Sequence, residues 1–128
     1  MRIMITGGAG CLGSNLIEHW LPIGHHIGVI DNFATGKREV VPEVQGLTVV
    51  EGDIANEELI NQIFENFGPD VVVHAAAAYK DPDNWVEDAR TNVIGSANVA
   101  KASKKCGAKR LINFQTALCY GRPKQLPI

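Results

Sequence analysis

A run of glycines at the end of a short apolar segment constrains this chain more than any other feature. Arg2–Thr6 reads as a strand and leads straight into Thr6-Gly7-Gly8-Ala9-Gly10-Cys11-Leu12-Gly13, from which a helix over Cys11–Trp20 opens. A strand-to-helix turn stripped of Cβ atoms lets a phosphate reach bare backbone. The helix behind it adds unpaired N–H groups and the positive end of its dipole. The string parses as Gly8-x-Gly10-x-x-Gly13 or as Gly7-x-x-Gly10-x-x-Gly13, and both put Gly10 and Gly13 at the turn. Glycine-rich turns also serve as plain tight bends, so the loop alone is weak evidence of a ligand.

The rest of the chain repeats the strand-then-helix alternation. Ile27–Ile30, Leu47–Glu51, Val71–His74 and Arg110–Phe114 are further strands, nearly continuous in apolar residues, which implies burial on both faces of a parallel sheet. Between them, Asn56 is a suitable N-cap for a helix over Glu57–Phe67, which Gly68-Pro69 stops. A longer helix is expected from Asp83 to Cys106, carrying Val86, Val93, Val99 and Ala100 and closing at Gly107. Residues 32–46 read as loop with a short helical turn. The expected architecture is α/β, a Rossmann-type doubly wound parallel sheet with helices on both faces that stops after the fifth strand, in a single domain over residues 1–128.

The second strand strengthens the case for a dinucleotide. Asp31 closes it at about the distance beyond Gly13 where such a unit places the acid that binds the adenosine ribose hydroxyls. Asp31 is also a natural turn former beside Asn32; with strand, loop and helix in this order, ribose binding is favoured. A carboxylate there selects NAD, because the extra phosphate of NADP would meet like charge, although Lys37 and Arg38 nearby leave some room for NADP. Other partners fit less well. The formal net charge is −2 with 12 basic and 14 acidic residues, and no basic stripe is interleaved with aromatics, which speaks against nucleic acid. No apolar stretch at the N-terminus is long enough for a signal peptide or a membrane span. Cys11, Cys106 and Cys119 are odd in number and lack metal-type spacing, which argues against a disulfide framework or zinc and suits the reducing cytoplasm.

Taken together these residues resemble the extended short-chain dehydrogenase/reductase family, specifically its NAD-dependent nucleotide-sugar epimerases and dehydratases. Thr6-Gly7-x-x-Gly10-x-x-Gly13 looks like the family's phosphate loop, with Cys11 and Leu12 inside it. Asp31-Asn32-Phe33-Ala34-Thr35-Gly36 looks like its ribose segment and Gly52-Asp53-Ile54 like its adenine turn. Asp53 could simply cap a turn, but an acid at a strand end can also accept from the adenine amine while Ile54 packs on the ring, and the adenine role is favoured. His74-Ala75-Ala76-Ala77 is similar to the segment that runs along the cofactor, with Lys80 further on. Asn92 in Thr91-Asn92-Val93-Ile94-Gly95-Ser96 matches a mid-helix asparagine that organises backbone or water nearby. His74 itself is expected to be structural, satisfied by packing and a backbone bond.

The resemblance also implies where chemistry belongs. Thr116, in Phe114-Gln115-Thr116-Ala117-Leu118-Cys119-Tyr120-Gly121, is in register with the family residue that contacts the substrate hydroxyl, though it could merely end a strand. The family's base is a tyrosine whose pKa a lysine one helical turn later lowers. Tyr120-Gly121-Arg122-Pro123-Lys124 has that spacing, but Pro123 drives Arg122 out of the helical region and Gly121 weakens a helix further, so the pair cannot share a helix face. The genuine pair is expected beyond Ile128, leaving a chain that binds NAD but is inactive alone, with the nucleotide sugar bound only in the full-length relative. The uncovered flank near strand five should then promote self-association. A non-catalytic dinucleotide-binding or sensing module is the competing expectation, and an interaction protein with a vestigial loop is a third.

Overall fold

The computed structural model describes residues 1–79, 81, 83–116, 119, 121, 122 and 125. Five parallel strands, β1 (Arg2–Thr6), β2 (His26–Asp31), β3 (Leu47–Glu51), β4 (Val71–His74) and β5 (Arg110–Asn113), form one sheet in the order β3-β2-β1-β4-β5. The chain moves outward from β1 to β3, then returns to place β4 on the other side of β1. This reversal opens a crevice at the carboxyl ends of β1 and β4, the usual ligand position in open α/β sheets.

Side-chain alternation sorts the core into two layers. Ile3 and Ile5 of β1, Ile27 and Val29 of β2 and Val73 of β4 meet Ile17 of helix α1 (Cys11–Trp20) on one face. Met4, Ile30 and Val72 meet Ile60 and Phe64 of α2 (Glu57–Phe67) and Val99 and Ala102 of α4 (Ser96–Lys105) on the other. The Rossmann-type reading therefore holds. The ends of α2 are as expected: the Asn56 side chain accepts from the Leu59 N–H, and Gly68 caps the helix in the left-handed region.

Two elements differ from expectation. The single helix over Asp83–Cys106 is instead α3 (Trp85–Asp88), a π-helical stretch over Ala89–Gly95, and α4. The wide turns are set by contacts distant in sequence: Gly95 seats against Ile54, where a Cβ would come within 2.5 Å of Ile54 Cγ1, and Asn92 bonds to Ala78. Val86 and Val93 are consequently exposed, while Val99 is buried. The second difference lies at the sheet edges, where burial on both faces of every strand was expected: β3 is only partly buried and β5 is exposed along its length, Leu111 and Ile112 being 37% and 39% exposed, and the exposure of β5 agrees with the uncovered flank expected near strand five. No described helix packs over that edge of the sheet as α2 and α4 do over β1 and β4. At α1, Leu21 keeps helical angles despite preceding Pro22 (φ −63°, ψ −46°), and the helix ends where proline offers no further N–H.

Candidate functional site

A cleft of about 340 Å³ lies at the carboxyl ends of β1, β2, β3 and β4. Its first wall is the glycine loop. Gly7 turns the chain with φ +72°, and its N–H donates to Ile30 O across the sheet at 2.8 Å. A Cβ on Gly7 would lie 2.7 Å from the Ala76 nitrogen. Gly13 lets α1 sit directly on the loop, since its Cβ would fall 2.5 Å from Gly7 O. A Cβ on Gly10 would meet Gly7 O at 3.3 Å and no other of the described non-neighbouring residues within 4 Å, and Gly10 opens onto the cleft. Gly8 packs instead against Val29 and does not line it. The geometry therefore corresponds to the Gly7, Gly10, Gly13 spacing. Ser14 is the first residue of α1 whose N–H bonds back, to Gly10 O at 3.0 Å, so the N–H groups of Cys11, Leu12 and Gly13 have no partner within the helix. Cys11 and Leu12 line the cleft; Gly13 lies behind it.

Asp31 forms the second wall and braces the first. Its Oδ2 accepts from the Ala9 N–H and its Oδ1 from the Phe33 N–H, each at 2.8 Å, and the residue is only 8% exposed. One carboxylate thus ties the loop after β1 to the turn after β2. That turn holds Phe33 at φ +54°, a strained conformation for a residue with a large side chain. The Phe33 ring packs against the α1-side core, with the Arg38 guanidinium 5.6 Å from its centroid, so Phe33 does not line the cleft. Asn32, whose Oδ1 accepts from the Ala34 N–H, lines the cleft together with Thr35 and Gly36.

The far end is built by β3 and the helical segment after β4. Asp53 Oδ1 accepts from the Ala55 N–H at 2.8 Å, and its Oδ2 accepts from Arg90 Nη2 at 2.7 Å. Gly52, Asp53 and Ile54 line the cleft with Glu87 and Thr91, and the Thr91 hydroxyl donates to Glu87 Oε1 at 2.7 Å. Ala75, Ala76 and Ala77 form the floor, continued by Ala78 and Tyr79. Asn92 stands outside the cleft but shapes it. Its amide donates to Ala78 O at 2.8 Å, and its Oδ1 accepts from the Ala78 N–H at 2.9 Å. Sequence reasoning missed Ala78, Tyr79, Glu87 and Thr91; the adjacency of Thr91 to Asn92, with Glu87 one turn earlier, was the available signal.

Beneath the floor lies His74, 4% exposed. It is held by two side-chain hydroxyls, with no backbone bond to its ring among the described residues: Nδ1 is 2.6 Å from Thr6 Oγ1 and Nε2 is 2.8 Å from Ser96 Oγ. Burial lowers its pKa, so the ring is neutral. The Ala76 N–H also donates to Thr6 Oγ1, at 3.4 Å, so one hydroxyl joins the floor of the cleft to the buried ring. Thr116 is exposed, follows β5, and is not among the residues lining the cleft. Lys80, Tyr120 and Lys124 lie outside the described residues.

This arrangement has clear counterparts among solved structures. The Bordetella bronchiseptica enzyme WbmG, crystallised in complex with NAD, is 70% identical, with a TM-score of 0.95 over 100% of this chain and 41% of that one. The enzyme WbmH of the same organism, in complex with NAD+, is 48% identical, with a TM-score of 0.93 over 99% of this chain and 43% of that one. A UDP-glucose 4-epimerase of Azospirillum brasilense is 31% identical over 130 residues, covering 99% of this chain and 37% of the relative. The chain thus spans about two fifths of the length of each of these three proteins. Residues 3–128 match the NAD dependent epimerase/dehydratase family, and the chain belongs to that family.

Proposed function

We propose that the cleft binds NAD and that residues 1–128 form the NAD-binding domain of a nucleotide-sugar epimerase or dehydratase that works by hydride transfer. The observation carrying this reading is the convergence, on one crevice at the reversal of the sheet, of unpaired N–H groups at the head of α1 and a buried carboxylate from the adjacent strand. In this reading the pyrophosphate lies over Gly7 and Gly10 and takes hydrogen bonds from the amides of Cys11 and Leu12, with Gly13 letting α1 pack close behind the loop. The ribose hydroxyls donate to Asp31, whose oxygens each keep a lone pair after accepting one backbone N–H. Asn32, Thr35 and Gly36 close over the ribose, with Phe33 contributing through its backbone. The adenine packs on Ile54 beside Asp53. Ala75, Ala76 and Ala77 underlie the nicotinamide half, held in place by Asn92 through Ala78.

Bound NAD supplies a hydride acceptor, and the residues described here bind and orient it. Thr116 is assigned to the substrate side and Lys80, which lies outside the described residues, to the cofactor. The names of the relatives, WbmG with NAD and UDP among them, favour a uridine-diphosphate sugar as the substrate class. We assign self-association to the exposed flank formed by Leu111, Ile112 and Phe114. The free thiols at Cys11, Cys106 and Cys119 fit a reducing cytoplasmic setting. Calorimetric titration tests the core of this proposal: saturable one-site binding of NAD is expected, and absence of heat or fluorescence change at millimolar NAD refutes it.

A further inference from the structure

Among the described residues His74 is the buried imidazole, and its bonds tie together three parts of the cleft. It stands beside Thr6 in the sheet register, where β1 passes into the phosphate loop. The Thr6 hydroxyl, 2.6 Å from Nδ1, also takes the N–H of Ala76 in the cleft floor. On the other side Nε2 meets Ser96 Oγ at 2.8 Å, at the start of α4 and directly behind the π-helical stretch whose Thr91 lines the cleft. Loop, floor and helical wall therefore share one ring.

That joint suits a neutral imidazole. A neutral ring donates from one nitrogen and accepts at the other, so two hydroxyls satisfy it whichever nitrogen holds the proton. An imidazolium donates from both, and the hydroxyl that had donated to the ring must turn its hydrogen away inside a buried site. The charged groups on the elements packed around the ring are engaged or remote. Arg2 lies at the far end of β1, bonded to Phe67 O, and Arg110 opens β5 at that same end. Arg90 is paired with Asp53, Lys101 with Glu57 and Lys105 with Glu65, Lys104 is exposed, and Glu87 holds the Thr91 hydroxyl. Burial alone acts on the pKa of His74, and it lowers it.

We infer that His74 is a positioning residue of the NAD site: its uncharged ring holds the floor and the helical wall in register with the phosphate loop, and NAD binds the form in which the ring is unprotonated. This rests on the NAD reading above and adds a proton linkage to it. Where His74 is protonated in the free chain, NAD binding expels that proton to the buffer. Affinity is therefore full above pH 6.5, the ordinary histidine value, and declines as pH falls below it.

Calorimetry of NAD binding to the whole chain between pH 7.5 and 5, in two buffers of different ionisation enthalpy, counts the protons released. The unaltered protein should lose at least about threefold in affinity across that range and release protons only at its acid end. His74→Gln keeps His19, His25 and His26, so the proton release and pH dependence that it loses belong to His74. At pH 7.5, His74→Leu, which can bond neither hydroxyl, should bind NAD at least about tenfold more weakly, and His74→Gln, with a donor and an acceptor on one amide, should recover part of that loss. Thermal melts check that both variants fold; if His74→Leu does not, the proton count in His74→Gln decides alone. Equal affinity at both ends of the range without proton release, or release undiminished in His74→Gln, overturns the inference while leaving NAD binding intact. A chain that binds no NAD at any pH refutes the cofactor reading, and this linkage with it.

Discussion

Replacing Asp31 by alanine should cost the fold measurable stability, independently of any ligand. The carboxylate accepts the Ala9 and Phe33 N–H groups at 2.8 Å each, and the first of these bonds is buried. A hydrogen bond to a charged group contributes roughly 1.5–3 kcal/mol. The Ala9 N–H loses its partner outright, whereas the half-buried Phe33 N–H can recover water, and Phe33 can relax from φ +54° once released. These effects offset one another in part, and Asp31→Ala should lose about 2–4 kcal/mol. Against a total of about 5–15 kcal/mol for a domain, the variant remains folded but weakened. With a urea slope of about 2 kcal/mol per molar, the midpoint should fall by about 1–2 M. Urea titration followed by circular dichroism measures this directly, with Glu39→Ala, an exposed acid, as a control expected within about 0.5 kcal/mol of the unaltered chain. A shift for Asp31→Ala no larger than that of the control would show that the carboxylate does not brace the loop.

Further predictions concern the loop, the floor and the buried histidine. Gly10 has φ −80°, which any residue tolerates, so Gly10→Val should leave the melting temperature nearly unchanged yet abolish NAD binding by filling the cleft; calorimetric binding by the variant would count against the loop as phosphate site. Asn92→Ala removes both bonds to Ala78 and, the site being exposed, should cost about 1 kcal/mol in denaturant titration while weakening NAD binding. Because burial lowers the pKa of folded His74 below its ordinary 6.5, on acidification the unfolded chain takes up that proton first. Stability from this group is complete above pH 6.5 and falls as pH drops from there toward the folded-state pKa. Denaturant midpoints between pH 7.5 and 5 should show that slope, and His74→Gln should flatten it; equal slopes in the two proteins would mean that His74 takes up its proton equally in both states.

Local chemistry made much of this legible. Asn56, Gly68 and Pro69 mark the ends of α2 because caps act within a few residues, and five apolar runs announce a parallel sheet, whose three inner strands β1, β2 and β4 are the buried ones. The glycine spacing also locates the cleft, since a missing Cβ is a property of sequence alone. What escaped was set by contacts remote along the chain. The π-helical stretch follows from Gly95 against Ile54 and Asn92 against Ala78, separations that no local pattern encodes. Glu87 and Thr91 were missed because the apolar residues Val86 and Val93 draw attention to a face that proves to be exposed, while the inward face carries Thr91, Gly95 and Asn98. Asp31 had been read as either turn former or ribose ligand, and its two short bonds make it a brace whatever else it binds.

The pairing of Asn92 with Ala78 has a mechanical consequence. A primary amide presents the same donor and acceptor as a peptide group, so the stretch past β4 gains a rung of a ladder without a strand, among the described residues, to supply it. That rung is carried by a helix, and the breadth of the groove is therefore governed by the helix position: sliding the helix along its axis drags Ala78 along, so subtle repacking far from the mouth can retune its dimensions.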